Sequence, residues 1–242
     1  MAYRGILLDF YGTVVEEDDL VIRGIAQKIA SVCPDWPQRE IAQLWGSEFT
    51  SAVSSSHGDA FRTQRELAVA SLASVLDRTA CRLDPLELCA EQFTHWQRPA
   101  LRPGAREFLA SCTLPICVVS NIDRADLDAG MRHIGIALPM TITSEEARSY
   151  KPRAEMFEMG LSRLELEPHQ VLHIGDSLSS DIAGANALNI DAAWVSGDNR
   201  AASDGARIVT QCTDLRDLHP FIQGDITQQH VDAVVNATDN TT

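Results

Sequence analysis

One strand-like run, Gly5-Ile6-Leu7-Leu8, is cut off from every other strand-like run by a long stretch in helical register. From Leu20 to about Arg98, apolar residues recur at helical spacing: Ile22, Ile25, Ile29 and Val32, then Leu67, Ala70, Leu72, Val75 and Leu76. Pro34 and Pro37 break the first helix, Ser54-Ser55-Ser56-His57-Gly58 marks a second break, and Pro99 with Pro103-Gly104 closes the segment. Beyond it, strands and helices alternate. Ile116-Cys117-Val118-Val119, Met140-Thr141-Ile142, Val171-Leu172-His173-Ile174 and Ala192-Ala193-Trp194-Val195 are strand-like; residues 104–111, 123–134, 153–163 and 181–188 are helix-like. This alternation predicts an α/β fold with a doubly wound parallel sheet. The expected division is a core of residues 1–15 and 99–222, an inserted helical cap of residues 16–98, and a tail of residues 223–242.

Composition narrows the function classes. The formal net charge of -14 argues against a general nucleic-acid binder, whose phosphate contacts need clustered Lys and Arg. The same charge disfavours adsorption to anionic membranes. No run reaches the roughly 18 apolar residues of a membrane span. The N-terminus enters a strand pattern directly, without the signature of a signal peptide, so a cytoplasmic location is expected. Cys33, Cys81, Cys89, Cys112, Cys117 and Cys212 show no paired CxxC spacing and are expected to be reduced core thiols.

Asp9 follows the first strand and precedes Phe10-Tyr11-Gly12-Thr13. A carboxylate at the mouth of a buried strand, on a glycine turn, is where α/β enzymes place a nucleophile. Three more short motifs sit at later strand ends: Ser120-Asn121, Lys151-Pro152, and Gly175-Asp176-Ser177 with Asp181. Each alone is weak. An isolated Ser-Asn reads as a turn, and an isolated Lys as a solvated surface charge.

In this order and strand context the four motifs resemble the haloacid dehalogenase (HAD) superfamily, over residues 1 to about 222. The resemblance implies a hydrolase in which Asp9 attacks phosphorus or a halogenated carbon and water opens the resulting intermediate. It implies Mg²⁺ held by Asp9, the backbone carbonyl of Tyr11, Asp176 and Asp181. It also makes Thr13, Ser120 and Asn121 substrate-binding residues, with Lys151 offsetting the carboxylates. The expected partner is a small phosphorylated metabolite; oligomeric state is not legible.

Tyr11 complicates this reading. Phosphatases of the resembled family carry a second Asp there to protonate the leaving group, whereas 2-haloacid dehalogenases carry Tyr. The other motifs point the opposite way. Gly175-Asp176-Ser177 with Asp181 is the metal-binding form, and two further acids beside Asp9 without a cation would make a poor setting for a nucleophile. Leu44-Trp45 is followed by Gly46, where the resembled dehalogenases have a halide-binding arginine, and their later tyrosine falls near Phe157. Arg62 and Arg65 read as solvated helix charges. The sequence therefore favours Mg²⁺-dependent phosphate-monoester hydrolysis. The alternatives are a metal-free 2-haloacid dehalogenase and a weakly active or non-catalytic binding protein on the same fold. Tyr11, His57 or Glu48 could replace the missing acid. Trp36, Trp45, Phe49, Phe61 and Trp96 are expected to be cap core more than cavity lining.

The tail, Gln223-Gly224-Asp225-Ile226-Thr227 followed by Val231-Asp232-Ala233-Val234-Val235-Asn236-Ala237, resembles the opening of a macrodomain, an ADP-ribose-binding module. Asp239 stands where that family has a second asparagine, and the segment is too short to build the fold. A fused or truncated gene is the expectation.

Overall fold

The computed structural model describes residues 3–196 and 205–222. The macrodomain-like tail lies outside the described residues. The first strand, β1 (Gly5–Leu8), leads into four helices: α1 (Asp19–Val32), α2 (Gln38–Ser55), α3 (Gln64–Arg78) and α4 (Pro85–Gln97). There follow α5 (Ala105–Ser111), β2 (Ile116–Ser120), α6 (Arg124–Ile134), β3 (Met140–Thr143), α7 (Ser144–Ala147) and α8 (Ala154–Leu164). The chain continues through β4 (Val171–Gly175), α9 (Ala183–Ala187), β5 (Asp191–Val195), β6 (Thr210–Cys212) and α10 (His219–Ile222).

All six strands are parallel, in the order β3-β2-β1-β4-β5-β6. The chain winds outward through β2 and β3, then returns to the other side of β1. β1 is thus flanked by the strands that begin the two windings. Ligands of open parallel sheets bind outside the carboxyl ends of the strands at such a reversal. β1 is buried on both faces, with Ile6 and Leu8 in one apolar cluster and Leu7 in the other. That is why its sequence reads as a continuous apolar run instead of an alternating one.

Local chemistry sets the breaks in the helical insertion. Pro37 precedes α2; Thr63 and Glu66 form a reciprocal cap at the start of α3. Asp84 accepts from the amides of Leu86 and Glu87, with Pro85 opening α4. The break between α3 and α4 was not legible in the sequence pattern, and neither was the short, polar β6. Cys33 and Cys81 are joined as a disulfide between the ends of α1 and α3, which corrects the expectation of reduced thiols for that pair. Their 48-residue separation gives no local spacing signal. The other four cysteines are free.

The helices are fastened to the sheet domain through the start of α3. Asp123 accepts the backbone amides of Gln64 and Arg65 at 2.7 and 3.1 Å. Arg65 grips the buried Asp126 with two bonds, at 2.7 and 2.5 Å, and its guanidinium lies 4.5 Å from the centre of the Phe93 ring. Arg65 is therefore a junction residue and not a solvated helix charge. No helix of the described residues is long and apolar enough to cross a membrane.

Candidate active site

Between the strand ends and the four inserted helices lies a cavity of about 640 Å³. Its floor is the four strand-end motifs. Asp9 follows β1, Ser120 ends β2, Asp176 follows β4, and Lys151 comes from the turn before α8. Its roof includes Ile22 from α1, Trp45, Phe49 and Val53 from α2, and Trp96 from α4. Trp45 and Trp96 are both roof and cap core, while Trp36 and Phe61 are not in the lining. Gly46 also faces the cavity, with nothing within 4 Å of the place a side chain would start.

The floor concentrates charge in a dry place. Lys151 Nζ donates to Asp9 Oδ1 and to Asp181 Oδ1, both at 2.6 Å, and all three residues are buried. Asp181 Oδ1 also meets His173 Nε2 at 3.0 Å, and its Oδ2 accepts the Ser177 amide at 3.0 Å. Asp9 Oδ2 is buried with no partner. Burial, followed by the Asp181 charge, pushes Asp9 up to about 6 against the pull of Lys151. Burial opposes ionisation of Asp181 too, but Lys151 and His173 hold it well below the usual carboxylate range. Asp176 is raised well above that range by burial and by its neighbours Asp9 and Asp181. Lys151 stays protonated because Asp181 and Asp9 outweigh its desolvation.

Two glycines make this crowding sterically feasible. Gly12 has φ +89°, and a Cβ there would lie 2.5 Å from Asp176 Oδ2. A Cβ on Gly175 would lie 2.3 Å from the Asp181 carboxyl carbon. Any side chain at either position would displace a floor carboxylate.

Oxygen donors of Asp9, Asp176 and Asp181 lie within 4.8 Å of one another. An all-oxygen carboxylate set with an unpartnered buried oxygen fits a hard divalent cation such as Mg²⁺.

The remaining residues singled out from sequence fall in different places. Thr13 is buried, with its hydroxyl 3.5 Å from Asp176 Oδ1. Asn121 clamps the backbone of Lys151: Oδ1 accepts its amide at 2.8 Å and Nδ2 donates to its carbonyl at 3.3 Å. Tyr11 lines the cavity, yet its hydroxyl donates to the Trp96 carbonyl at 2.5 Å, at the end of α4. Burial and the surrounding carboxylates, Asp126 first, keep that phenol protonated. Glu48 pairs with Arg78 at 2.7 Å, and neither Glu48 nor His57 is in the lining. Phe157 is buried against His173.

Sequence reasoning missed Glu17, Asp18 and Arg153, all of which line the cavity. Asp18 Oδ2 accepts from Gln92 Nε2 at 2.7 Å and Trp96 Nε1 at 2.8 Å, tying α1 to α4. Glu17 is exposed at the cavity edge, and its carboxyl is raised above the usual range by partial desolvation and by the charges of Asp18 and Asp9. Their position just after the first strand loop was the available signal; no motif marks them.

Residues 3–189 match the family described as haloacid dehalogenase-like hydrolase. The chain belongs to that family. Relatives within it differ in chemistry. A ribulose-1,5-bisphosphate 5-phosphatase from Halopiger xanaduensis is 31% identical over 97 residues, 38% of this chain and 41% of the relative. The match thus spans less than half of that protein. An (S)-2-haloacid dehalogenase 1 from a Pseudomonas species is 22% identical over 207 residues, covering 81% of this chain and 86% of the relative. The crystal structure of the L-2-haloacid dehalogenase RSc1362 superposes with a TM-score of 0.76 at 16% identity, over 92% of this chain and 100% of that one. The HAD fold with its inserted helices is therefore shared; the substrate is a separate question.

Proposed function

We propose that this chain is a Mg²⁺-dependent phosphatase acting on a small phosphate monoester. The observation that carries the reading is the unpartnered Asp9 Oδ2 beside Asp176 and Asp181. Asp9, the Tyr11 carbonyl, Asp176 and Asp181 are the groups that would hold the cation. When bound, it would offset negative charge on the phosphoryl group and on the carboxylates.

Asp9 attacks phosphorus, forming an aspartyl-phosphate bond as the ester oxygen departs with its electron pair. Lys151 keeps Asp9 aimed and ionised by the short bond to Oδ1. Ser120 and Asn121, at the end of β2, face the same cavity as Lys151 and are the groups proposed to orient the transferred oxygens. The departing oxygen needs a proton. Tyr11 spends its hydroxyl on Trp96, whereas Glu17 faces the cavity with a carboxyl raised above the usual range beside Asp18 and Asp9. We assign it the acid role. Water then cleaves the acyl phosphate and restores Asp9.

A second reading, metal-free dehalogenation, draws on Tyr11 in its Asp-x-Tyr-Gly-Thr setting and on the Pseudomonas relative. One experiment separates the two: p-nitrophenyl phosphate and 2-chloropropionate, each with Mg²⁺ and with EDTA. Phosphate release that requires Mg²⁺ supports the proposal. Chloride release that persists in EDTA, with no phosphate release, replaces it with the second reading.

A further inference from the structure

We propose that Arg153 forms a second anion-binding subsite in the cavity, so that the preferred substrate is a phosphate monoester with a further anionic group on its alcohol portion. The inference rests on the phosphatase reading above and names the class of ester within it.

The cavity has two cationic lining residues, Lys151 and Arg153. Lys151 is fully committed, bonded to both Asp9 and Asp181. Arg153 is not. Its Nε is buried without a hydrogen-bond partner, and its guanidinium takes part in no ion pair among the described residues. Five arginines, Arg65, Arg78, Arg124, Arg163 and Arg216, make six ion pairs among the described residues.

Arg153 is only partly buried and lines the cavity, so its outer guanidinium N–H groups, in no hydrogen bond or ion pair among the described residues, are open to an acceptor from a ligand. Arginine is also the side chain best shaped to take a carboxylate or phosphate with paired N–H donors. Its setting is held in place: Arg153 follows directly on Lys151-Pro152, and its amide donates to the Tyr150 carbonyl at 3.1 Å. The hydroxyl residues Ser177, Ser179 and Ser180 line the same cavity. The remaining ionisable lining groups are Asp9, Tyr11, Glu17, Asp18, Tyr150, Asp176 and Asp181, none of which would welcome an anion. A second negative group on the substrate therefore has one favourable place to go. Either a carboxylate or a second phosphate supplies the chemistry.

The test uses the full chain as Asp9→Asn, which blocks turnover, in Mg²⁺ buffer. Calorimetry compares phenyl phosphate, 4-carbamoylphenyl phosphate, 4-carboxyphenyl phosphate and 1,4-phenylene bisphosphate. The anionic esters should bind about 10-fold or more tightly than the neutral carbamoyl isostere. Adding Arg153→Gln should bring that ratio close to one, and Arg153→Lys should keep part of it. The better of the two anionic esters identifies carboxylate or phosphate as the source. Equal affinities, a ratio unmoved by Arg153→Gln, or no binding by any of the four would overturn the subsite. Failure of the parent reading shows separately, as wild-type protein that binds the anionic esters selectively yet releases no phosphate with Mg²⁺.

Discussion

The floor of the cavity packs Asp9, Lys151, Asp176 and Asp181 together at low exposure, while the roof offers mainly carbon from Ile22, Trp45, Phe49, Val53 and Trp96. The floor residues come from strand ends and are held by short polar bonds at fixed positions. The roof residues come from helices, which also bring Thr50, Ser54 and Gln92 to the cavity edge. A rigid floor can support one chemistry across many substrates, because its geometry does not depend on what the roof contacts. A carbon roof chooses by size and shape. The two surfaces should therefore fail differently when altered.

The largest effect is expected from Asp9→Asn, which should lower phosphate release by at least about 10⁴-fold while the protein stays folded. Turnover within 10-fold of wild type would remove Asp9 as nucleophile. Next, Glu17→Gln should cost about 10²-fold in kcat on an alkyl phosphate, and much less on p-nitrophenyl phosphate, whose leaving group needs no proton. Equal losses on both esters would place Glu17 outside proton transfer. Lys151→Met should destabilise the fold by about 3–5 kcal/mol in urea unfolding, because it leaves the buried carboxylates of Asp9 and Asp181 without their cation. An unchanged midpoint would show that the floor charges are not coupled as drawn.

On the roof, Trp45→Ala should cost about 3 kcal/mol in stability and raise KM more than it lowers kcat. A loss confined to kcat would break the contrast between floor and roof. The smallest effect is expected from Tyr11→Phe, which removes one hydrogen bond at a cost of about 1 kcal/mol and leaves kcat near that of wild type. A drop of 10²-fold or more would instead make the phenol a proton donor.

Much of the floor was legible because its residues sit where apolar runs stop. A strand end is visible in sequence, and a parallel sheet brings several ends to one edge. That logic marked Asp9, Ser120 and Asp176 as candidates, while Lys151, which follows α7, stood out only through the resemblance of the four motifs together. The roof was less legible. Trp45 and Trp96 looked like core residues, and they are core residues that also face a cavity. The partner of Tyr11 is a backbone carbonyl 85 residues away, which no side-chain pattern encodes. Arg65 resembled any exposed helix cation until the fold set Asp126 beneath it. Glu17 and Arg153 carry no motif, and their significance comes from which neighbours they do and do not have.

The bond from Tyr11 to Trp96 also bears on how α4 can move. Any movement that lifts α4 from the sheet must first part that phenol from its carbonyl. Tyr11 is two residues from Asp9, so the loop that carries the nucleophile and the last turn of α4 share one tether.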